Sequence, residues 1–92
     1  MEEKFAIAAF RSRLQVMQLV TALRRMGIQA SVVTTPRSIA LGCGLSARFA
    51  PEHAQAARDA LQTQQQGNLI GFYLVTRHSS GKITCERMGN QP

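Results

Sequence analysis

The chain has 92 residues, of which 45% are apolar and 17% are charged. This composition is typical of a globular domain and excludes a disordered protein, and the length leaves no room for a second domain of ordinary size. The net charge of +6 favours an acidic partner, namely RNA, an acidic protein surface or a small anion, although a solvated basic surface explains it equally well.

The N-terminus is acidic, MEEKF, and no long apolar run follows it. A secretory signal needs such a run, a transit peptide is rich in arginine, and a membrane span needs roughly 18 apolar residues. We therefore expect a cytoplasmic protein without a membrane segment. In that reducing compartment Cys43 and Cys85 should be free thiols, and their spacing matches no common zinc site.

A strand and a helix are predicted first along the chain. Residues 4–10, KFAIAAF, form a short apolar run with an aromatic end, which indicates a buried strand. Ser12 and Gln15 have the spacing of a capping box at the start of a helix over residues 13–26, and Gly27 ends it. Its apolar face repeats at helical spacing and consists of Val16, Leu19, Val20 and Leu23.

Two more strands and a second helix follow. Residues 28–34 and 45–50 alternate apolar and polar side chains, as strands with one buried face do. Pro51 suits the first position of a helix, whose small apolar stripe comprises Ala54, Ala57 and Leu61.

The last predicted strand is LIGFYLVTR, residues 69–77, which is apolar on both faces and therefore central. The order strand, helix, strand, strand, helix, strand predicts an α+β, ferredoxin-like βαββαβ sandwich: a four-stranded antiparallel sheet with two helices on one face. We assign residues 1–77 to this domain and 78–92 to a polar C-terminal tail. Within the tail, KITCE could add a short edge strand.

Cys43 lies between Gly42 and Gly44, in the connection between the second and third predicted strands. Glycines on both sides remove the side chains that would shield a sulfur, and the arginines nearest in sequence, Arg37 and Arg48, would lower the pKa of the thiol. A reactive thiol and a small apolar filler explain this pattern equally well.

A hydrolytic cysteine also needs a general base. The only histidines are His53, predicted at the start of the second helix, and His78, predicted at the end of the last strand. Neither carries a signal beyond that of a surface residue. The chain has no paired carboxylates, phosphate-binding glycine motif or metal-ligand cluster. Hydrolytic and redox catalysis therefore have little to work with in this chain, which favours a non-enzymatic role, and what remains is a thiol that could carry a group and hand it on. We expect no metal and no cofactor.

Residues 36–49, PRSIALGCGLSARF, resemble the signature of the putative Se/S carrier protein-like family, which consists of small bacterial domains. The pattern is a Pro-Arg pair, a serine-containing loop, a Cys-Gly core and a strand with Arg-Phe. The matching residues are Pro36, Arg37, Ser38, Cys43, Gly44, Leu45, Arg48 and Phe49. The resemblance extends over roughly residues 4–76. Gly42 departs from it, because members often have Ser or Thr there.

The resemblance implies that Cys43 accepts sulfur or selenium, as a persulfide or selenopersulfide, from a donor such as a cysteine desulfurase and passes it to an acceptor enzyme. The only bound group would be this chalcogen. Arg37 and Arg48 would stabilise its negative charge, and Gly42 and Gly44 would provide access and backbone donors. Cys85 could resolve the persulfide as a second thiol, although a tail cysteine without a role explains it better.

Two other classes of function stay open. An RNA-binding sheet of the same topology would use exposed aromatic rings, and Phe10, Phe72 and Tyr73 are the candidates, although the RNP1 pattern is missing. A redox-sensing interaction domain would form a homodimer through a sheet edge and sense oxidation at Cys43.

Overall fold

The computed structural model describes residues 2–37, 39, 44–61 and 69–88. It contains five strands, two α-helices and a 3₁₀ turn. Their order is β1 (Glu3–Phe10), α1 (Arg13–Arg25), β2 (Ser31–Thr34), β3 (Leu45–Phe49), the 3₁₀ turn (Pro51–His53), α2 (Ala54–Ala60), β4 (Leu69–Arg77) and β5 (Ile83–Arg87). None of the helices in these residues is long and apolar enough to cross a membrane.

The strands form one antiparallel sheet in the order β2-β3-β1-β4-β5. The prediction of a four-stranded sheet is wrong, because the tail supplies a fifth strand. Gly81, at a φ of +92°, allows the tight turn in which the His78 N–H donates to the Lys82 carbonyl at 2.8 Å. β5 then pairs with β4, which makes β4 an inner strand, as its apolar sequence predicts.

Helix α1 buries the four apolar residues predicted for its inner face. It ends as expected, because Gly27 adopts a φ of +82°, a conformation that favours glycine. The predicted capping box is wrong: Ser12 makes no side-chain capping bond, and only its carbonyl accepts a hydrogen bond, from the Val16 N–H. Arg24 and Arg25 lie in the last turn, where positive charge offsets the helix dipole.

The second helical segment starts at Pro51 as predicted, but its first three residues form the 3₁₀ turn. Helix α2 follows, and the predicted stripe of Ala54, Ala57 and Leu61 is buried. All three residues belong to the hydrophobic core, in which α2 packs against α1.

One core joins both helices to the same face of the sheet. The strand residues in this core alternate along their strands: Ala6, Ala8 and Phe10 of β1, Ala47 and Phe49 of β3, and Phe72 of β4. The rings of Phe49 and Phe72 meet edge to face at 6.3 Å between centroids. The small side chains of β1 let α1 pack closely on the central strand.

The opposite face of the sheet carries no described helix, yet Ile7 of β1 is fully buried there. Its cross-strand neighbours are Arg48 on β3 and Tyr73 on β4, whose long side chains flank it. The Tyr73 ring lies over Gly71, where an added Cβ would be 3.1 Å from the ring. Gly71 thus makes room for the aromatic ring that helps to cover this face.

Candidate functional site

The β2–β3 hairpin contains the predicted thiol site at its loop. The Thr35 N–H donates to the Gly44 carbonyl at 2.9 Å, which extends the pairing of the two strands by one step. The chain between Thr35 and Gly44 therefore connects the two strands, and Cys43 directly precedes Gly44 in the sequence. Cys43, Gly42 and Ser38 lie outside the described residues, so their roles stay predictions.

The base of this loop is held by a buried pair of hydroxyl groups. The Thr35 Oγ1 and Ser46 Oγ atoms form a hydrogen bond of 2.6 Å, and both residues are buried. An added Cβ on Gly44 would lie 3.1 Å from the Thr35 Oγ1 and 3.2 Å from its Cβ. Gly44 is thus packed tightly against Thr35, in addition to the access role predicted for it.

Thr35 and Ser46 were not among the predicted site residues. The alternation of β3 predicts that Ser46 is on a polar, exposed face, which is wrong, because Ser46 is fully buried. A hydroxyl can be buried there because the Thr35 hydroxyl, diagonally across the hairpin, forms a hydrogen bond with it, whereas Val33 is the residue directly opposite Ser46. Nothing in the local pattern of β3 signals that partner.

Pro36 and Arg37 lie where the chain leaves β2. The Pro36 carbonyl accepts a hydrogen bond of 3.0 Å from the Ile39 N–H, which closes a turn around Arg37. The Arg37 side chain is exposed, with no ion-pair partner among the described residues. Arg37 thus belongs to the same loop as Cys43 and retains an uncompensated charge within the described part of the chain.

Arg48, by contrast, lies toward the far end of β3. It follows Gly44 by four residues, which corresponds to about 13 Å of extended strand. Its Nη2 donates to the Glu3 Oε2 at 2.8 Å, and its guanidinium carbon lies 3.9 Å from the centre of the Phe5 ring. The structure therefore brings Arg48 together with Glu3 and Phe5, and not with Pro36, Arg37 and Gly44.

Other positive groups do lie at the hairpin end of the sheet. Phe10, the last residue of β1, pairs with Leu45, the first residue of β3. The exposed Arg11 and Arg13 come directly after β1, and α1 begins there with no acidic residue in its first turn. These two arginines were not among the predicted site residues, because only the register between β1 and β3 places them at this end.

Cys85 is half-buried on β5, opposite Val75. Because β1 and β4 separate β5 from β3, the two strands lie about 14 Å apart across the sheet. A disulfide needs Cα atoms only about 4.4–6.8 Å apart. Cys85 thus lies three strand spacings from Gly44, the described residue that follows Cys43 in the sequence, and its role as a resolving thiol stays a prediction.

The two histidines follow strand ends that point away from the hairpin. His53 closes the 3₁₀ turn after β3. His78 follows β4, where its Nδ1 lies 2.8 Å from the Glu2 Oε2 and its Nε2 lies 3.2 Å from the Thr84 Oγ1. The contacts of His78 hold the β4–β5 turn against the start of β1.

The aromatic residues considered for RNA stacking are mostly in the core. Phe10 is 1% exposed and Phe72 is 6% exposed, and both belong to the helix-covered face. The prediction that they are available to stack on bases is therefore wrong. Tyr73 is half-buried on the other face, against Gly71.

The comparison with protein families yields a match. The family model described as "Putative Se/S carrier protein-like" matches residues 5–73, which is more than half of the chain. The chain belongs to this family. The matched residues of the Se/S carrier-like family run from β1 into β4 and include the whole β2–β3 hairpin, whereas β5 lies beyond them. No curated protein and no solved structure matches the chain.

Proposed function

We propose that this member of the Se/S carrier-like family is a carrier of sulfur or selenium and that the thiol of Cys43 holds the chalcogen. The observation that carries the proposal is the family match over residues 5–73, which contains the hairpin loop with Cys43. The proposed domain comprises residues 1–77, and β5 extends it into the tail.

The transfer is an exchange at a persulfide. The Cys43 thiolate attacks the outer sulfur of the donor's persulfide, a new S–S bond forms to Cys43, and the S–S bond of the donor breaks. The donor cysteine leaves as a thiolate, so no external oxidant or reductant is consumed. The same exchange, repeated on an acceptor thiolate, returns Cys43 to its starting state. A selenopersulfide transfers selenium in the same way.

The chemistry of the hairpin end supports this proposal. A carrier needs a thiolate that another protein can reach, and positive charge that stabilises the terminal anion, but it needs no general base. Arg37 in the loop, with Arg11 and Arg13 at the same end of the sheet, provides such charge. Neither histidine follows a strand end on this side.

The proposal includes two partners, a donor such as a cysteine desulfurase and an acceptor enzyme, in the bacterial cytoplasm. Acidic surfaces on these enzymes would complement the net charge of +6. We further propose that β1 to β4, α1 and α2 form a ferredoxin-like βαββαβ unit. The order β2-β3-β1-β4 with antiparallel neighbours supports this, and β5 is an addition at one edge.

Intact mass spectrometry tests the carrier function. The purified protein is incubated with an active cysteine desulfurase and cysteine, alongside Cys43→Ala and the matched control Cys85→Ala. We expect the mass of one added sulfur on the wild type and on Cys85→Ala but not on Cys43→Ala, and its loss after treatment with a thiol reductant. An unmodified wild type, or loading that depends on Cys85, would contradict the proposal.

A further inference from the structure

A groove lies at the end of the sheet far from Gly44. It forms because β3 is shorter than the neighbouring strand β1. β3 ends at Phe49, and its pairing with β1 covers only residues 6–10 of β1. The first residues of β1, from Glu3 to Phe5, pair with β4 alone. A cavity of about 940 Å³ therefore remains between the start of β1, the α1–β2 connection and the 3₁₀ turn.

The groove is rich in positive side chains. Among the described residues that line it, Lys4, Arg24 and Arg48 are cations, His53 adds an imidazole, and Glu52 is the one carboxylate. Arg48 is already ion-paired with Glu3, but Lys4 on β1 and Arg24 on α1 add positive charge from two elements, and such a cleft concentrates anions.

Arg24 is oriented by one hydrogen bond to the backbone. Its Nε donates to the Ala30 carbonyl at 3.0 Å, which ties the end of α1 to the segment before β2. Its two terminal guanidinium nitrogens have no partner within the described part of the chain. A guanidinium held in this way presents a planar fork of donors, which matches the spacing of two phosphate oxygens.

The aromatic surface in the groove is already occupied. Phe5 lines the groove, but the Arg48 guanidinium lies 3.9 Å above its ring and is itself bonded to Glu3. A flat base could not stack on that face of Phe5. The site therefore suits a ligand that is recognised by its anionic group rather than by an aromatic ring.

We infer that this groove binds a small phosphorylated molecule, with the Arg24 fork on the phosphate and Lys4 beside it. The volume lies within the range of small-molecule sites. The site is independent of the proposed carrier function, since it contains no residue of the thiol loop and lies about 13 Å of strand from Gly44.

The test is a titration of the ¹⁵N-labelled full chain with inorganic phosphate and with ribose 5-phosphate, followed by amide chemical shifts. Arg24→Gln is compared with Arg25→Gln, which removes the same charge from the next position but does not line the groove. We expect saturable shifts at the α1–β2 connection. Arg24→Gln should weaken binding roughly tenfold, as for a charge-assisted bidentate contact, and Arg25→Gln less than about twofold.

Two further variants separate recognition from damage to the fold. Lys4→Gln changes an exposed side chain and should also weaken phosphate binding, whereas Glu52→Gln removes the repelling carboxylate and should tighten it. Equal losses in Arg24→Gln and Arg25→Gln would overturn the inference, since they would show only diffuse attraction. Amide chemical shift changes that do not saturate with phosphate concentration would overturn it too. So would changes centred on Arg37 and Arg11. Sulfur loading of Cys43 should be the same in all of these variants.

Discussion

At the scale of single residues, the loop that carries the thiol depends on a close fit at its base. Thr35 and Ser46 satisfy each other's hydroxyl across the hairpin, and Gly44 lies against the Thr35 side chain. None of the three is charged. Their effect is to hold the two ends of the loop at a fixed separation, which limits where the thiol can be presented.

Gly44→Ala should destabilise the protein by about 1–2 kcal/mol, because the new methyl group would press on the Thr35 Oγ1 and Cβ, and tight packing leaves no space for it. Urea unfolding followed by circular dichroism measures the change. If Gly44→Ala had the same free energy of unfolding as the wild type, the Thr35 side chain could move away from the added methyl group without loss of stability.

Ser46→Ala should cost about 1–2 kcal/mol, because the buried Thr35 hydroxyl loses its partner. The double variant Thr35→Val, Ser46→Ala removes both polar groups and should recover most of that loss. The same unfolding measurement, arranged as a double-mutant cycle, gives the coupling between the two residues. Additive losses would contradict a direct hydrogen bond.

At the scale of elements, the fifth strand covers an edge that the predicted four-stranded sheet would expose. The backbone of β4 bonds to β1 on one side and to β5 on the other, from Tyr73↔Arg87 to Arg77↔Ile83. An uncovered edge of an apolar strand pairs readily with other chains. β5 itself is exposed at four of its five positions, which suits an outer strand.

A chain truncated after His78 should therefore unfold at a lower temperature and associate as its concentration rises. Thermal unfolding and sedimentation velocity measure the two effects. Truncation after Met88, which leaves β5 intact, is the matched control and should behave as the full chain. If the chain that ends at His78 stayed monomeric and unfolded at the same temperature as the full chain, β5 would contribute little.

At the scale of the whole molecule, positive charge is divided between two ends of the sheet. Arg37, Arg11 and Arg13 lie at the hairpin end, whereas Arg48 lies with Lys4 and Arg24 at the groove end. The effect of each arginine on the pKa of the Cys43 thiol should follow this division, because the interaction between a charge and a thiolate weakens with distance.

In a Cys85→Ala background, Arg37→Gln should slow the alkylation of Cys43 by iodoacetamide at neutral pH, because less of the thiol is ionised without the nearby charge. Arg48→Gln should change the rate much less, since its guanidinium contacts Glu3 and Phe5. Rate constants from intact mass measure both. If Arg48→Gln slowed the alkylation of Cys43 more than Arg37→Gln does, Arg48 would have the predicted electrostatic role.

Local patterns predicted much of the fold. The spacing of Val16, Leu19 and Leu23 fits the buried face of α1, and the β4 residues 69–77 agree with the predicted strand. The suggested edge strand KITCE is confirmed as β5, but it was placed outside the domain because an outer strand exposed on both faces carries no apolar period. Ser46 was misassigned because its burial depends on Thr35, eleven positions away in the sequence.

The sequence by itself determined most of the order of the elements and the membership of the family, since both depend on patterns of neighbouring residues. Only the tertiary structure decided which cations share an end of the sheet, that Phe10 and Phe72 are core residues, and that a groove forms beside Arg24. These depend on strand register and strand length, which are set by contacts between distant parts of the chain. The same register places Arg48 at the end of the hairpin far from Gly44, whereas Arg37 belongs to the connection that contains Cys43.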